Sequence, residues 1–331
     1  MSAFKIVLRS RATRLITAAL ARVGLAIKTD RLVKASEAEL KNLVAMLYAE
    51  RSKPAAPDDP AIECVVFSKD RPTQLAALLS SINEKVAPDF PVHVLYRASS
   101  EAFTAAYVDV LRSVAKSNVI PHAEQNFSRD LRRLLADIKA PKMFFLVDDD
   151  LFLEDVSVAA FGDVDLARFV PSLRLGRNLR HCFPINAQMP LPPFQDDVKG
   201  RKGFLAWRWR DGSMDWAYPM SVTGHIFRTE EIRIMTEAAT FVAPNSYEEA
   251  LTHFTACFAD RFGLCFEKSR LVNIPANLVQ TENASRAHNL SVEYLLERWN
   301  AGYAIDHRSL YGVSNRSAHQ AFDLTFVTRS T

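Results

Sequence analysis

Apolar spacing changes along the chain, and each change predicts a different element. Leu40, Leu43, Val44 and Leu47 share one helical face, and Ser36 with Glu39 forms a capping box, so a helix is expected over 36–50. The stretch 52–60, SKPAAPDDP, then reads as a proline-rich linker. Beyond it, short apolar runs at 62–67, 92–96, 118–121 and 142–147 predict strands. Amphipathic stretches lie between them: one starts at Pro72 with Leu75, Leu78 and Leu79 as its apolar face, and others cover about 101–116 and 127–138. This alternation predicts an α/β fold, a mainly parallel central sheet with helices on both faces. The rhythm weakens over 156–215, which reads as an insertion rich in Arg, Pro and aromatics. A strand–turn–strand around Gly224 is expected over 216–228, a helix from about Ser246 onward, and a late strand over 271–279. The domains implied are 1–58, helical with a linker, and 59–331, whose halves divide at 155/156.

Charge qualifies this picture at the N-terminus. Residues 1–34 carry eight Lys/Arg against the single acid Asp30, and Leu15, Ile16, Ala19, Leu20, Val23 and Ile27 recur at helical spacing. A basic amphipathic helix on an anionic membrane surface and a helix packed on the domain both fit this pattern. No uncharged run there is long enough to span a bilayer, so a cytoplasmic protein is expected, with peripheral contact to the inner membrane surface through residues 1–34 as the membrane alternative. The whole chain has a formal charge of +3, too small to imply a nucleic-acid partner, and none is expected. Its four cysteines form no CxxC pair and are expected as free thiols.

The strongest chemical signal is the run 143–155, MFFLVDDDLFLED, where a buried-strand pattern stops in Asp148, Asp149 and Asp150. Adjacent carboxylates flanked by apolar residues need a cationic partner. Hard Mn²⁺ or Mg²⁺ prefers such oxygen ligands, and ligands of parallel sheets bind outside the carboxyl ends of the strands. Alternation along an extended chain would put Asp148 and Asp150 on one side and Asp149 on the other. A plain acidic turn is the simpler alternative. The loop FSKDR after the first strand adds Ser68, Lys69, Asp70 and Arg71 on the same edge, where they could meet a nucleotide or simply cap the next helix.

The ordered set FSKDRPTQL, DDD, WAYPMSVTGHIFR, VNIPANLVQ and the segment 315–319 resembles the GT-A-fold, DxD-type, metal-dependent glycosyltransferases, most of all bacterial members acting on surface polysaccharides. The resemblance covers roughly residues 62–325. It implies a GT-A-like (Rossmann-like) fold, a nucleotide-binding half over 59–155 and an acceptor-binding half over 156–331. It further implies a nucleoside-diphosphate sugar donor and a saccharide or lipid-linked acceptor. Donor contacts carry over to Ser68, Lys69, Asp70, Arg71, Arg129, Asp148 and Asp149. Metal ligands carry over to Asp148, Asp150 and a C-terminal histidine, His288, with His307 and His319 as alternatives. An inverting mechanism would use Glu248 as general base, or Glu249, although acids in a helix's first turn are common without catalysis. Trp216, Tyr218, Gly224 and His225 would line the acceptor pocket, and Trp207 with Trp209 would form a lid. Two other readings use the same residues. A nucleotidyltransferase acting on sugar phosphates would want a second acidic cluster about one strand away, and no equally strong one appears before Asp196–Asp197, which reads as loop. A non-catalytic nucleotide-sugar-binding protein would need no base.

Overall fold

The computed structural model describes residues 41–53, 61–116, 118–195, 203–276 and 290–329 of the 331. The chain divides into two units, Met1–Arg51 and Ser52–Thr331. In the first unit, residues 41–51 are helical, in line with the helix expected over 36–50. The basic segment 1–34 and the proline-rich stretch 54–60 lie outside the described residues.

The second unit is built on a five-stranded sheet of β1 (Ile62–Lys69), β2 (Val92–Arg97), β3 (Val119–Ala123), β4 (Lys142–Val147) and β8 (Ile226–Arg228), in the order β8-β4-β1-β2-β3. Every pairing is parallel except β8 with β4. β1 is buried over Ile62–Ser68 because both its faces are covered, the pattern a parallel strand demands. The crossovers run through α1 (Pro72–Lys85), α2 (Glu101–Ser113) and α3 (Phe127–Asp137). Pro72 begins α1, while Ser100 and Asn126 cap α2 and α3 by accepting from the Phe103 and Arg129 amides. From β1 the chain adds β2 and β3 on one side, then returns to lay β4 on the other. The carboxyl ends of β1 and β4 therefore flank a topological switch point, where such sheets leave a crevice.

The region 156–215 is more regular than its composition suggests. β6 (Phe169–Ser172) and β7 (Phe204–Arg208) join β9 (Phe262–Phe266) in a second sheet of order β7-β9-β6. The helix expected from Ser246 starts earlier, as α5 (Pro244–Thr252), and ends before β9. In FGLCF the apolar period is two, which suits a strand, and Gly263 is needed because a Cβ there would lie 2.2 Å from the Trp207 indole. Trp207 and Trp209 are fully buried, with ring centroids 4.8 Å apart, so they are core and not a lid. The strand expected before Gly224 is instead a 3₁₀ turn, Met214–Ala217. The late strand is short: β10 (Leu271–Asn273) pairs antiparallel with β5 (Asp150–Phe152). The last elements are α6 (Val292–Asn300) and the antiparallel pair β11 (Tyr303–Ile305) and β12 (Phe326–Thr328). All four cysteines are free.

A buried ion pair ties the two sheets together. Arg261, just before β9, donates through both terminal nitrogens to Glu231 of α4 (Thr229–Ala238), with Nη1 at 2.9 Å from one carboxylate oxygen and at 2.8 Å from the Leu166 carbonyl. Glu231→Ala leaves this guanidinium buried and unpaired, so urea unfolding should show a loss of about 3–5 kcal/mol. A loss under about 1 kcal/mol, the value of a solvated pair, would contradict it.

Candidate functional site

The crevice is walled by the loops that follow β1 and β4. The Ser68 hydroxyl donates to Asp148 Oδ2 at 2.8 Å, and the Lys69 amide reaches the same oxygen at 3.2 Å. Tyr107 of α2 braces the loop from behind, 2.7 Å from Ser68 Oγ, and accepts from the Arg71 amide at 3.0 Å. Asp70 takes a left-handed conformation, φ 54°, which turns its carboxylate onto the Ser99 amide at 2.6 Å. That oxygen is thus bound to the loop after β2. Lys69 and Arg129 are exposed, with Arg129 Nε held by Asp130 at 2.8 Å.

Asp149 is the middle of the acidic group in structure as well as sequence. Arg71 Nη1 lies 3.0 Å from Asp148 Oδ1 and 3.0 Å from Asp149 Oδ2. Asn273 Nδ2 lies 2.7 Å from Asp149 Oδ1 and 3.0 Å from Asp150 Oδ1. The remaining Asp150 oxygen accepts from the Val147 amide at 2.9 Å. Asp148 and Asp150 are both buried. Burial, partly offset by Arg71, pushes the Asp148 carboxyl up to about 6. Burial, reinforced by the charge of Asp149, holds Asp150 well above the usual carboxylate range.

Among the described residues, no set of three or more His, Cys, Asp or Glu side chains is arranged to hold a metal ion. Asp148, Asp149 and Asp150 offer oxygen donors, and the Arg71 guanidinium is bonded to the first two. Beside them lies a small, solvent-open hollow bordered by Asp148, Asp149 and Asp150 and by apolar residues including Ala77, Leu151, Ile274 and Leu324.

A second polar group is centred on Arg174, a residue the sequence analysis did not single out. It is buried, donating to Ser221 Oγ at 2.7 Å and to Asp215 Oδ1 at 2.6 Å. Its positive field reaches Asp150, His225, Glu248 and His319. Glu248, half-buried on α5, accepts from the Val222 amide at 3.1 Å, and burial raises its carboxyl above the ordinary value. Glu249 is exposed. Tyr218 is half-buried, and burial together with the negative field of Glu248 keeps its phenol protonated.

His225 is buried and donates from Nδ1 to the Pro219 carbonyl at 3.0 Å, and burial lowers it to about 3, so it is neutral. Trp216 is fully buried, edge-on to Trp207 and Phe194, and belongs to the core. Gly224, φ 66°, donates to the Phe145 carbonyl and accepts from the Leu173 amide, both at 2.8 Å, so it joins β4 to the segment after β6. Of the histidines, His288 lies outside the described residues, as does Asp196–Asp197. His307 stands 3.4 Å from Glu84 and meets the Tyr311 ring edge-on. His319 pairs with Asn273 in an isolated bridge, lies in the field of Asp149, and is lowered to about 4, chiefly by burial.

Sequence reasoning missed Arg174, Asp215, Ser221 and Asn273 as site residues. A signal existed for the first: a cation between Leu173 and Leu175, both fully buried, requires a partner.

No family model matches the chain, and no curated protein matches it. Among solved structures it is similar to S. aureus TarS: to a structure of its residues 1–349 with 15% identity, 64% of this chain, 59% of that chain and a TM-score of 0.40. To a second TarS structure it is similar with 15% identity, 73% of this chain, 39% of that chain and a TM-score of 0.40. The chain thus spans less than two thirds of either, and a likeness this loose carries no inference about activity.

Asp148 gives a pH signature. Its folded value of about 6 exceeds the unfolded value of about 3.9, so the folded state binds the extra proton and this group's contribution to stability falls as pH rises between the two. In Asp148→Asn that decline is absent. Stability from urea unfolding at about pH 7, taken relative to that at about pH 4, should therefore be higher than in the unsubstituted protein by on the order of 1–3 kcal/mol. An unchanged difference between the two pH values would refute the assignment.

Proposed function

We propose that the protein is a metal-dependent glycosyltransferase that moves a sugar from a nucleoside-diphosphate donor to a hydroxyl group of a saccharide or lipid-linked acceptor, with inversion. One observation supports this above the rest: the Ser68–Arg71 loop and the aspartates after β4 meet at the switch point of a parallel sheet. That edge is where a nucleotide's phosphates are met by backbone amides and cations.

On this reading Asp148 and Asp150 hold Mn²⁺ or Mg²⁺, with Asp148 shared between the ion and Arg71. The ion, when bound, supplies Lewis acidity that stabilises the departing diphosphate. Ser68 and Arg71 fix the loop against Asp148 so that the donor finds a preformed wall. Glu248 takes the proton of the acceptor hydroxyl. The freed oxygen forms a bond to the anomeric carbon as the carbon–oxygen bond to the diphosphate breaks, and the electron pair leaves with the diphosphate. The raised carboxyl of Glu248 suits this task, because a base nearer neutrality removes a hydroxyl proton with more driving force.

No helix among the described residues is long and apolar enough to cross a membrane. Contact of residues 1–34 with an anionic membrane surface is part of this proposal, tested by liposome flotation of the full chain against one starting at residue 35. Equal flotation ends it.

Two measurements test the chemistry. UDP or GDP with Mn²⁺ should raise the melting temperature, equivalent to about 3 kcal/mol at a hundredfold excess over Kd, while Asp148→Asn and Asp150→Asn abolish the rise. No response to any nucleoside diphosphate would sink the donor assignment. Glu248→Gln should keep that thermal response and lose roughly 10²–10⁴ in turnover. Release of pyrophosphate from a nucleoside triphosphate, in place of nucleoside diphosphate from a sugar donor, would instead identify a nucleotidyltransferase.

A further inference from the structure

A single nitrogen of Arg71 serves two of the three aspartates. Nη1 lies 3.0 Å from Asp148 Oδ1 and 3.0 Å from Asp149 Oδ2. The Arg71 and Asp149 side chains are each 11% exposed and that of Asp148 4%, so water and salt screen these contacts little. The other donors to the acids are neutral. The Ser68 hydroxyl and Lys69 amide reach Asp148 Oδ2, the Asn273 amide group reaches Asp149 Oδ1 and Asp150 Oδ1, and the Val147 amide reaches Asp150 Oδ2. Among the described residues, Arg71 is therefore the cation bonded to the acidic group. Its main chain is pinned on both sides. The Asp70 amide donates to the Arg97 carbonyl, the Arg71 amide to Tyr107 Oη and the Leu75 amide to the Arg71 carbonyl, each at 3.0 Å. Movement of the guanidinium thus falls to the side-chain torsions.

We infer that Arg71 is the resident counter-cation of the acidic group and makes binding of a divalent ion there conditional on the donor's diphosphate. The inference rests on the reading that Asp148 and Asp150 hold the ion. Asp148 is then the carboxylate for which the ion and the guanidinium compete. A dication arriving alone meets a like charge already bonded to that carboxylate. To take hold it must send the guanidinium away from both aspartates, and a charge parted from its partners at so buried a place is costly. A diphosphate removes the obstacle, because its oxygens match the planar fork of an arginine in pairs. Arg71 then exchanges carboxylates for phosphate, and the acids are released to the ion. Linkage makes the effect reciprocal: the factor by which the diphosphate tightens the ion is the factor by which the ion tightens the diphosphate. The acids accordingly do not load with a divalent ion ahead of the donor.

The experiment counts bound ion and needs no turnover. Free Mn²⁺ is followed by its EPR signal as the full chain is titrated, alone and with UDP or GDP, after correction for Mn²⁺ bound by the nucleotide itself. Arg71→Gln should bind Mn²⁺ alone more tightly than the unsubstituted protein, by roughly tenfold or more, and the gain from the nucleotide should shrink by at least that factor. Arg71→Lys keeps the charge and should leave the affinity for Mn²⁺ alone unchanged. Uridine and guanosine, which lack the diphosphate, should not tighten Mn²⁺ in any of the proteins. Equal affinity of Arg71→Gln and the unsubstituted protein for Mn²⁺ alone overturns the inference and leaves the metal reading standing. Mn²⁺ bound by none of the proteins, with or without nucleotide, removes the metal reading and the inference with it. If Arg71→Gln does not fold, crystals of the unsubstituted protein decide. Soaked in UDP or GDP with Mn²⁺, they should show Arg71 on phosphate oxygens and parted from Asp149; Arg71 still bonded to Asp149 overturns the exchange.

Discussion

Three neighbouring carboxyl groups at the end of β4 are kept largely out of water, with the Arg71 guanidinium bonded to two of them. Burying charge without full compensation is costly, and the surroundings are arranged to limit the cost. The Ser68 hydroxyl, the Lys69 and Val147 amides and the Asn273 amide group each donate to an aspartate oxygen. These donors come from β1, β4 and β10, so the acidic group can exist only once strands distant in sequence have assembled. The site is thus a product of tertiary structure, although its most visible residues are adjacent in the chain.

Arg174 extends the same logic to a second polar group. Its field lowers the cost of ionising both Asp150 and Glu248, which belong to different segments. A single buried cation therefore influences the proposed metal-binding acids and the proposed base together. Such coupling makes the two halves electrostatically interdependent, and substitutions on either side are expected to be non-additive.

Much of the central sheet was legible from sequence because its strands are buried on both faces and read as continuous apolar runs, as in 62–67 and 142–147. The aspartates were legible for the complementary reason, polar residues where the apolar pattern stops. The second sheet was not, since β7 and β9 are short, half-covered at their ends and interrupted by Gly263, whose purpose becomes evident only beneath Trp207. The aromatic segment 207–216 misled in the opposite sense: tryptophans beside arginines suggested a surface lid, yet Trp207, Trp209 and Trp216 pack on one another inside. Asn273 and Arg174 were hidden because their partners lie far along the chain, 123 positions away for Asn273 and Asp150, 41 for Arg174 and Asp215. Periodicity reports burial, and it is silent on which distant group a lone polar side chain will meet.

Gly224 carries a mechanical consequence. A Cβ at this position would fall 2.6 Å from the Leu271 Cδ2 methyl, so the turn before β8 and the strand that delivers Asn273 approach each other closely through that side chain. The room left by the missing Cβ is filled by a leucine methyl, so the turn and the strand bearing Asn273 are packed through a side chain that a larger residue at 224 would have to displace.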